Sequence, residues 1–237
     1  MKEEHLKQTT PRRGFIGTLA AGAAALGFAT LASPFRLDAQ DKNHKPAAVH
    51  PSNPADEWFN KIHGKHRIVF DATRPHEIMP FAWPRVFLMT NGQTGSAENE
   101  CGVVVVLRHE AIGYALEDRL WAKYKLGAMF NANDPSTKAP SERNPFWQPK
   151  PGDFKIPGFG PVPIGINELQ ASGVLFCVCN AAITVFSAVA AENMKSDAAE
   201  VKKDWLAGLL PGIQVVPSGV WAVGRAQEHG CQYCFAG

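Results

Sequence analysis

Residues 102–107, Gly-Val-Val-Val-Val-Leu, form a run without a single polar side chain, and this run decides the fold class. A strand with one face in water would alternate apolar and polar residues. A continuous apolar run is instead typical of a strand that is covered on both faces, as in a parallel sheet between two layers of helices. The run therefore predicts an α/β domain.

Three other segments carry a similar signature. They are residues 67–71 (Arg-Ile-Val-Phe-Asp), 173–179 (Gly-Val-Leu-Phe-Cys-Val-Cys) and 213–216 (Ile-Gln-Val-Val). Helical patterns lie between these predicted strands, and strands that alternate with helices are joined by crossover connections. We therefore expect a three-layer, doubly wound α/β fold with a mostly parallel sheet between helices.

Two apolar faces mark the helical patterns. One face recurs every four residues and predicts a helix: Ile112, Leu116, Leu120 and Tyr124. A second face predicts helical structure with a break near Ser196 and Asp197: Ile183, Phe186, Ala190, Val201 and Trp205.

Composition excludes several classes of protein. With 45% hydrophobic and 19% charged residues in 237, the chain can bury a full core, which excludes disordered, fibrous and coiled-coil proteins. The net charge of +2 provides no large basic field, so we predict no nucleic-acid binding. The nucleotide-binding patterns GxGxxG and GxxxxGK followed by Ser or Thr are missing, as is the hydrolase pattern GxSxG. We predict no bound cofactor.

The amino-terminal segment resembles a twin-arginine export signal. Arg12 and Arg13 precede an uncharged run, residues 14–35, in which half of the residues are Ala or Gly. Such a run is weakly hydrophobic for a membrane span. We expect residues 1–39 to be a signal peptide, cleaved after Ala32 or Ala39, and the mature protein to be periplasmic or otherwise exported, with no stable membrane span. An uncleaved membrane anchor is the alternative.

Two further segments divide the rest of the chain. Residues 40–64 are polar and rich in proline, which predicts a tether that leads to a short helix near residues 56–62. The domain then spans residues 65–237. An insertion at residues 131–163 contains eight prolines and sustains neither helical nor strand periodicity. Its aromatic residues predict packing against another subunit or, as an alternative, within the chain: Phe146, Trp147, Phe154 and Phe159.

The ends of the predicted strands carry a family resemblance. Residues 103–109 (Val-Val-Val-Val-Leu-Arg-His), 173–180 (ending in Cys-Asn) and 210–219 (Leu-Pro-Gly-Ile-Gln-Val-Val-Pro-Ser-Gly) resemble, in that order, the DsrE/DsrF-like family of sulfur-relay proteins. The resemblance covers residues 65–237. It implies a parallel α/β domain that forms trimers or hexamers, a sulfurtransferase-like role with a sulfur donor or acceptor protein or a small sulfur species as partner, and a functional cysteine at Cys179.

The chemistry of Cys179 can also be argued from its position. Functional groups in open parallel sheets gather at the carboxyl ends of the strands, where helix amino-termini carry partial positive charge. A helix that begins near Ala181 would favour the thiolate of Cys179, and His109, at the end of another strand, is a candidate to stabilise that thiolate or to move its proton. The alternative is that Cys179 and Cys177, which share one face of the strand by alternation, are buried in the core.

The second group of cysteines is the Cys231-Gln-Tyr-Cys234 motif near the carboxyl terminus. It predicts an intramotif disulfide, two idle thiols or, together with Cys177 and Cys179, four thiolate ligands for a structural metal. Three hypotheses therefore remain open: a sulfur carrier that acts through Cys179, a metal-binding or redox module, and an assembly domain without catalytic chemistry.

Overall fold

The structure is a computed structural model and describes residues 54–237. Its strands are β1 (His66–Ala72), β2 (Cys101–Leu107), β3 (Lys155–Ile156), β4 (Gly160–Pro161), β5 (Leu175–Cys179), β6 (Ile213–Val216) and β7 (Gln232–Phe235). Its α-helices are α1 (Pro54–Glu57), α2 (Met79–Gln93), α3 (Asp118–Tyr124), α4 (Leu126–Met129), α5 (Ile166–Ala171), α6 (Asn180–Met194), α7 (Ala198–Ala207) and α8 (Gly219–Glu228). Three 3₁₀ helices span Trp58–Lys61, Glu98–Glu100 and His109–Ala115.

Five of the strands form one parallel sheet in the order β6-β5-β2-β1-β7. All seven residues of the central strand β2 are buried, as its apolar run predicts. The four strands predicted from the sequence are all present, and β7 is an additional strand at the edge beside β1. The three-layer α/β fold is confirmed.

Two apolar clusters cover the two faces of the sheet. Alternate residues of β2 pack on opposite sides because successive side chains of a strand point to opposite faces. One cluster includes Val103, Val105 and Leu107 with Phe81 of α2, Ile183 of α6 and Trp205 of α7. The other includes Val104 and Val106 with Ala222 and Ala226 of α8 and with Phe59. Helices therefore shield both faces of the sheet from water.

The predicted continuous helix over Ile112–Tyr124 is wrong, although its apolar residues are all buried. The 3₁₀ helix His109–Ala115 ends at Leu116, whose backbone is extended (φ −110°, ψ 145°), and α3 begins only at Asp118. Leu116 forms an isolated β-bridge with Leu209, and Leu210 donates a backbone hydrogen bond to Ala115. Glu117 in turn donates a backbone hydrogen bond to Gly208, so the residues on both sides of Leu116 make tertiary hydrogen bonds in place of helical ones.

The predicted break between α6 and α7 is confirmed. Asp197 precedes α7, and its side chain accepts hydrogen bonds from the backbone N–H groups of Ala199 and Glu200. These bonds satisfy two donors that have no partner within the first turn of a helix. An acidic cap therefore starts a new helix at this point.

The domain begins upstream of residue 65. Residues 54–64 form α1 and the 3₁₀ helix Trp58–Lys61, where the sequence predicts a tether that leads to a short helix near residues 56–62. Trp58, Phe59 and Ile62 are buried in the cluster that α8 covers. Burial of three large apolar side chains makes this segment part of the core. The predicted signal peptide and the first part of the tether, residues 1–53, lie outside the residues that the structure describes.

The proline-rich insertion packs mostly within its own chain. Phe146 is buried and stacks on Phe81 of α2, with ring centroids 4.2 Å apart, and Phe154 stacks on Phe146 at 4.9 Å. Trp147 is partly buried against the same cluster. Phe159, in the turn between β3 and β4, is 66% exposed. Three of the four aromatic residues thus follow the intrachain alternative.

Within residues 54–237, no helix combines the length and the apolar character needed to cross a bilayer.

Candidate functional site

Cys179 lies at the junction of β5 and α6. It is the last residue of the strand and the N-cap of the helix, and its Sγ accepts a hydrogen bond from the backbone N–H of Ala182 at 3.2 Å. The helix has 15 residues, so its first turn presents unpaired N–H groups and partial positive charge to this sulfur. The side chain is 6% exposed. The predicted helix start near Ala181 is therefore close to the observed start at Asn180.

Arg108 adds a positive charge at the end of the neighbouring strand, β2. Leu107 pairs with Val178 in the sheet, so the next residues, Arg108 and Cys179, follow at the carboxyl ends of neighbouring strands. Hydrogen bonds to Asp71 raise the pKa of Arg108 above its usual value, and electrostatic attraction to Asp71, Tyr233 and Cys179 adds to this effect. The positive charge of Arg108 and the amino-terminus of α6 therefore lie at the same edge of the sheet as Cys179.

Asp71 holds the guanidinium in position. Its carboxylate accepts two hydrogen bonds from Arg108, from Nε at 2.6 Å and from Nη2 at 2.8 Å, and a third from the hydroxyl of Tyr233 at 3.0 Å. Asp71 is buried near the end of β1, whereas half of Tyr233 is exposed on β7. Burial and the bond to Asp71 raise the pKa of Tyr233. Three strands therefore contribute to one hydrogen-bonded group of side chains at the carboxyl end of the sheet, within electrostatic range of Cys179.

Gly219 makes room for Arg108 at the first turn of α8. A Cβ atom on Gly219 would lie 2.4 Å from Cβ of Arg108 and 2.6 Å from its Cδ, which no packed side chain tolerates. The preceding residue, Ser218, caps α8 by accepting a hydrogen bond from the N–H of Trp221. The stem of Arg108 is thus enclosed by the start of this helix.

His109 is not joined to Cys179 by any hydrogen bond or ion pair that the structure records within residues 54–237. Its side chain is exposed, and its ring packs edge-on against Phe186 of α6 with centroids 5.5 Å apart. Its backbone has a φ of 51°, which is uncommon for a residue other than glycine. The sequence predicts His109 as the partner of Cys179. In the structure, the residue at this strand end that interacts with Cys179 is Arg108, which directly precedes His109. The feature of the sequence that could have identified Arg108 is its position, as a charged residue directly after the buried apolar run of β2.

Cys177 and Cys179 pack in different clusters, contrary to the expectation from strand alternation. Cys177 is fully buried on the α8 side of the sheet, whereas Cys179 packs in the cluster on the α6 side. The difference arises because Cys179 ends the strand, where the chain turns into the N-cap conformation. Burial, together with the nearby Cys179, raises the pKa of Cys177 far above that of an ordinary thiol.

Cys231 and Cys234 belong to opposite faces of the sheet. Cys231 is buried below α8, and burial raises its pKa to about 11 against the opposing effect of Arg67, whereas Cys234 contacts the other cluster. The motif runs into the extended strand β7, where residues three apart are separated by about 10 Å, too far for a disulfide. All five cysteines are free thiols. Of the alternatives for this motif, the structure therefore has two free thiols and not the intramotif disulfide.

The four cysteines of the alternative metal site do not converge. Cys177 and Cys179 lie on β5, and β2 and β1 separate that strand from β7, a distance of about 14 Å across the sheet. Within residues 54–237, no group of three or more His, Cys, Asp or Glu side chains has the geometry to hold a metal ion.

Comparison with known proteins assigns no function to these residues. No family model matches the sequence, and no curated protein matches it. Among solved structures, the chain is similar to a protein of unknown function, MTH1491 from Methanobacterium thermoautotrophicum, with 18% identity and a TM-score of 0.37 over 72% of this chain and 98% of that one.

Proposed function

We propose that this protein is an exported sulfur carrier of the DsrE/DsrF-like type, in which Cys179 holds a sulfane sulfur as a persulfide. In the loading step, the Cys179 thiolate attacks the outer sulfur of a donor persulfide, R–S–SH. A bond forms between Sγ and that sulfur, the S–S bond of the donor breaks, and R–S⁻ leaves with the electron pair and takes up a proton. Transfer to an acceptor thiolate is the same exchange in the opposite sense.

The observation that carries this proposal is the environment of the Cys179 sulfur. Sγ accepts the Ala182 N–H at the first turn of α6, and the guanidinium of Arg108 lies at the adjacent strand end. Nucleophilic cysteines are activated by helix amino-termini and by neighbouring basic groups. The other buried cysteines, Cys101, Cys177 and Cys231, have pKa values raised by burial and are poor nucleophiles at neutral pH.

Loading by a persulfide donor tests the proposal directly. The full chain is incubated with glutathione persulfide, and mass spectrometry of its peptides should locate one added sulfur atom on Cys179. Cys179→Ser should abolish loading and preserve the fold, because serine also caps helices well. Cys234→Ser, a change at a partly exposed thiol outside the site, is the matched control.

The alternative is an assembly domain without chemistry, and the near-complete burial of Cys179 favours it. In that case no sulfur is added to Cys179, and Cys179→Ser lowers the stability of the fold instead. Equal loading of the wild type and the Cys179→Ser variant would also reject the sulfur-carrier proposal.

Export is a separate part of the proposal and rests on Arg12, Arg13 and the uncharged run that follows. Replacement of both arginines by lysine keeps the charge and should leave the precursor in the cytoplasm, as judged by cell fractionation. Unchanged export of that variant would reject the twin-arginine assignment.

A further inference from the structure

An apolar cavity of about 520 Å³ lies between α2 and the β3-β4 hairpin, and Cys179 is not among the residues that line it. Its walls include Met79, Trp83, Val86 and Met89 of α2, Ile156 of β3, and Phe159 of the hairpin turn. Cavities of roughly 300–1,000 Å³ with mostly apolar walls are typical of sites for small molecules. The cavity therefore has the size and the lining of a site for one small apolar molecule.

Part of this wall is exposed to water in the single chain. Phe159 is 66% exposed and Trp83 is 42% exposed, and Val86 of the same helix also reaches the surface. Contiguous apolar surface of this kind marks a binding site more often than chance exposure. A bound apolar group would remove these side chains from water.

The charged residues of the lining are both basic. Arg85 donates to the carbonyl of Pro163 and to Ser172 Oγ, so its guanidinium is already engaged. Lys155 is exposed at the hairpin, and within residues 54–237 the structure records no hydrogen bond or ion pair of its ammonium group. The lining thus offers one free positive charge beside an apolar cavity, which complements a ligand with one anionic group.

We propose that this cavity binds a free medium-chain fatty acid, with its alkyl chain between α2 and the hairpin and its carboxylate at Lys155. An alkyl chain has no polar groups to satisfy, whereas a peptide segment would bury backbone N–H and C=O groups against walls that provide almost no partners. The charge at Lys155 selects an acid over an alcohol or an amine of the same length.

Calorimetric titration of the full chain with three ligands of equal chain length tests the proposal. Sodium laurate should bind saturably at one site, 1-dodecanol should bind more weakly, and dodecyltrimethylammonium should bind least. Lys155→Glu should weaken laurate binding about fivefold or more and leave dodecanol binding unchanged. Lys203→Glu, at an exposed lysine of α7, is the matched control and should have no effect.

A second variant tests the apolar wall. Phe159→Asp should weaken laurate and dodecanol binding at least about tenfold, because the ring that covers the chain is replaced by a charge. Phe159 is exposed, so circular dichroism should show an intact fold. Val220→Asp places the same charge at an exposed valine of α8 and should leave binding unchanged.

Several results would overturn the proposal. One is the absence of saturable laurate binding; another is equal loss of binding in Phe159→Asp and Val220→Asp. If Phe159→Asp leaves laurate binding intact but lowers the native mass, the cavity is an interface with a second copy of the chain. Binding only to vesicles of anionic phospholipid, and not to free laurate, would assign the patch to a membrane surface instead.

Discussion

At the residue scale, the candidate site depends on a buried carboxylate that orients a cation. Asp71 accepts hydrogen bonds from Arg108 and Tyr233, and it lies deeper than either donor. Two parallel N–H···O bonds fix the plane of the guanidinium as well as its distance. The guanidinium of Arg108 therefore remains at the carboxyl end of the sheet instead of extending into water.

Asp71→Asn should destabilise the protein. The change removes the negative charge of the carboxylate to which Arg108 and Tyr233 both donate hydrogen bonds. The side chain of Arg108, which the start of α8 encloses, is then left without its counter-ion. We expect a loss of about 2 kcal/mol in the free energy of unfolding, less than for a fully buried pair because part of Arg108 reaches water. Urea denaturation measures this change. Glu142→Gln, at an exposed carboxylate, is the control, and equal losses in the two variants would contradict a special role for Asp71.

Alkylation of the folded protein should distinguish the cysteines. The pKa of Cys231 is raised to about 11 and that of Cys177 is also raised by burial, so both remain protonated thiols at pH 7. The Sγ of Cys179 accepts the N–H of Ala182 at the start of α6, so iodoacetamide should label Cys179 before these two. Peptide mass spectrometry of a time course measures the order. Labelling of Cys179 only after denaturation would identify it as a core residue.

At the scale of elements, α3 and α7 are joined through one carboxylate. Asp204 of α7 accepts hydrogen bonds from Arg119, Lys123 and Tyr124 of α3. Burial alone would raise the pKa of Asp204, but the hydrogen bonds more than offset that effect and hold the pKa far below its usual range. This contact attaches the helical hairpin of α6 and α7 to the segment that follows β2.

The contact between α3 and α7 should make stability depend on pH on the acid side. Because the folded pKa of Asp204 is lowered, its contribution is fully present above about pH 4, the ordinary value for Asp, and is lost as the pH falls towards the folded pKa. Asp204→Asn should therefore cost about 1–2 kcal/mol at pH 7 and less than that at pH 2.5. Urea denaturation at the two pH values measures the difference, with Glu192→Gln as the control. A cost that does not depend on pH would contradict the assignment.

At the scale of the whole molecule, the chain leaves apolar side chains on its surface away from the cavity. Val185 and Val189 of α6, Val220 of α8, and Phe235 of β7 are all substantially exposed. Scattered exposure of this kind is normal in a monomer. The predicted trimer or hexamer therefore rests on the family resemblance.

Native mass spectrometry of the full chain tests assembly. We expect a trimer or a hexamer at micromolar concentration. A strictly monomeric mass would contradict the expectation. Val185→Asp, which adds charge at an exposed position of α6, should lower the mass only if this helix lies at the interface.

The sequence by itself determined the fold class, because the pattern that defines it is local. The apolar runs at β1, β2, β5 and β6, and the cap at Asp197 between α6 and α7, depend on neighbours within a few residues. Cys179 at a helix start could be predicted for the same reason. Each of these features requires only the periodicity of a strand or helix and the chemistry of its ends.

Only the tertiary structure decided what surrounds Cys179 and where the other cysteines lie. Arg108 meets Asp71 because β1 and β2 are neighbours, and Cys231 and Cys234 separate because the motif enters the edge strand β7. Likewise, the extended backbone at Leu116 arises from its pairing with Leu209, nearly a hundred residues away. Such contacts join residues far apart in the chain, and no local pattern of side chains encodes which strands will be adjacent.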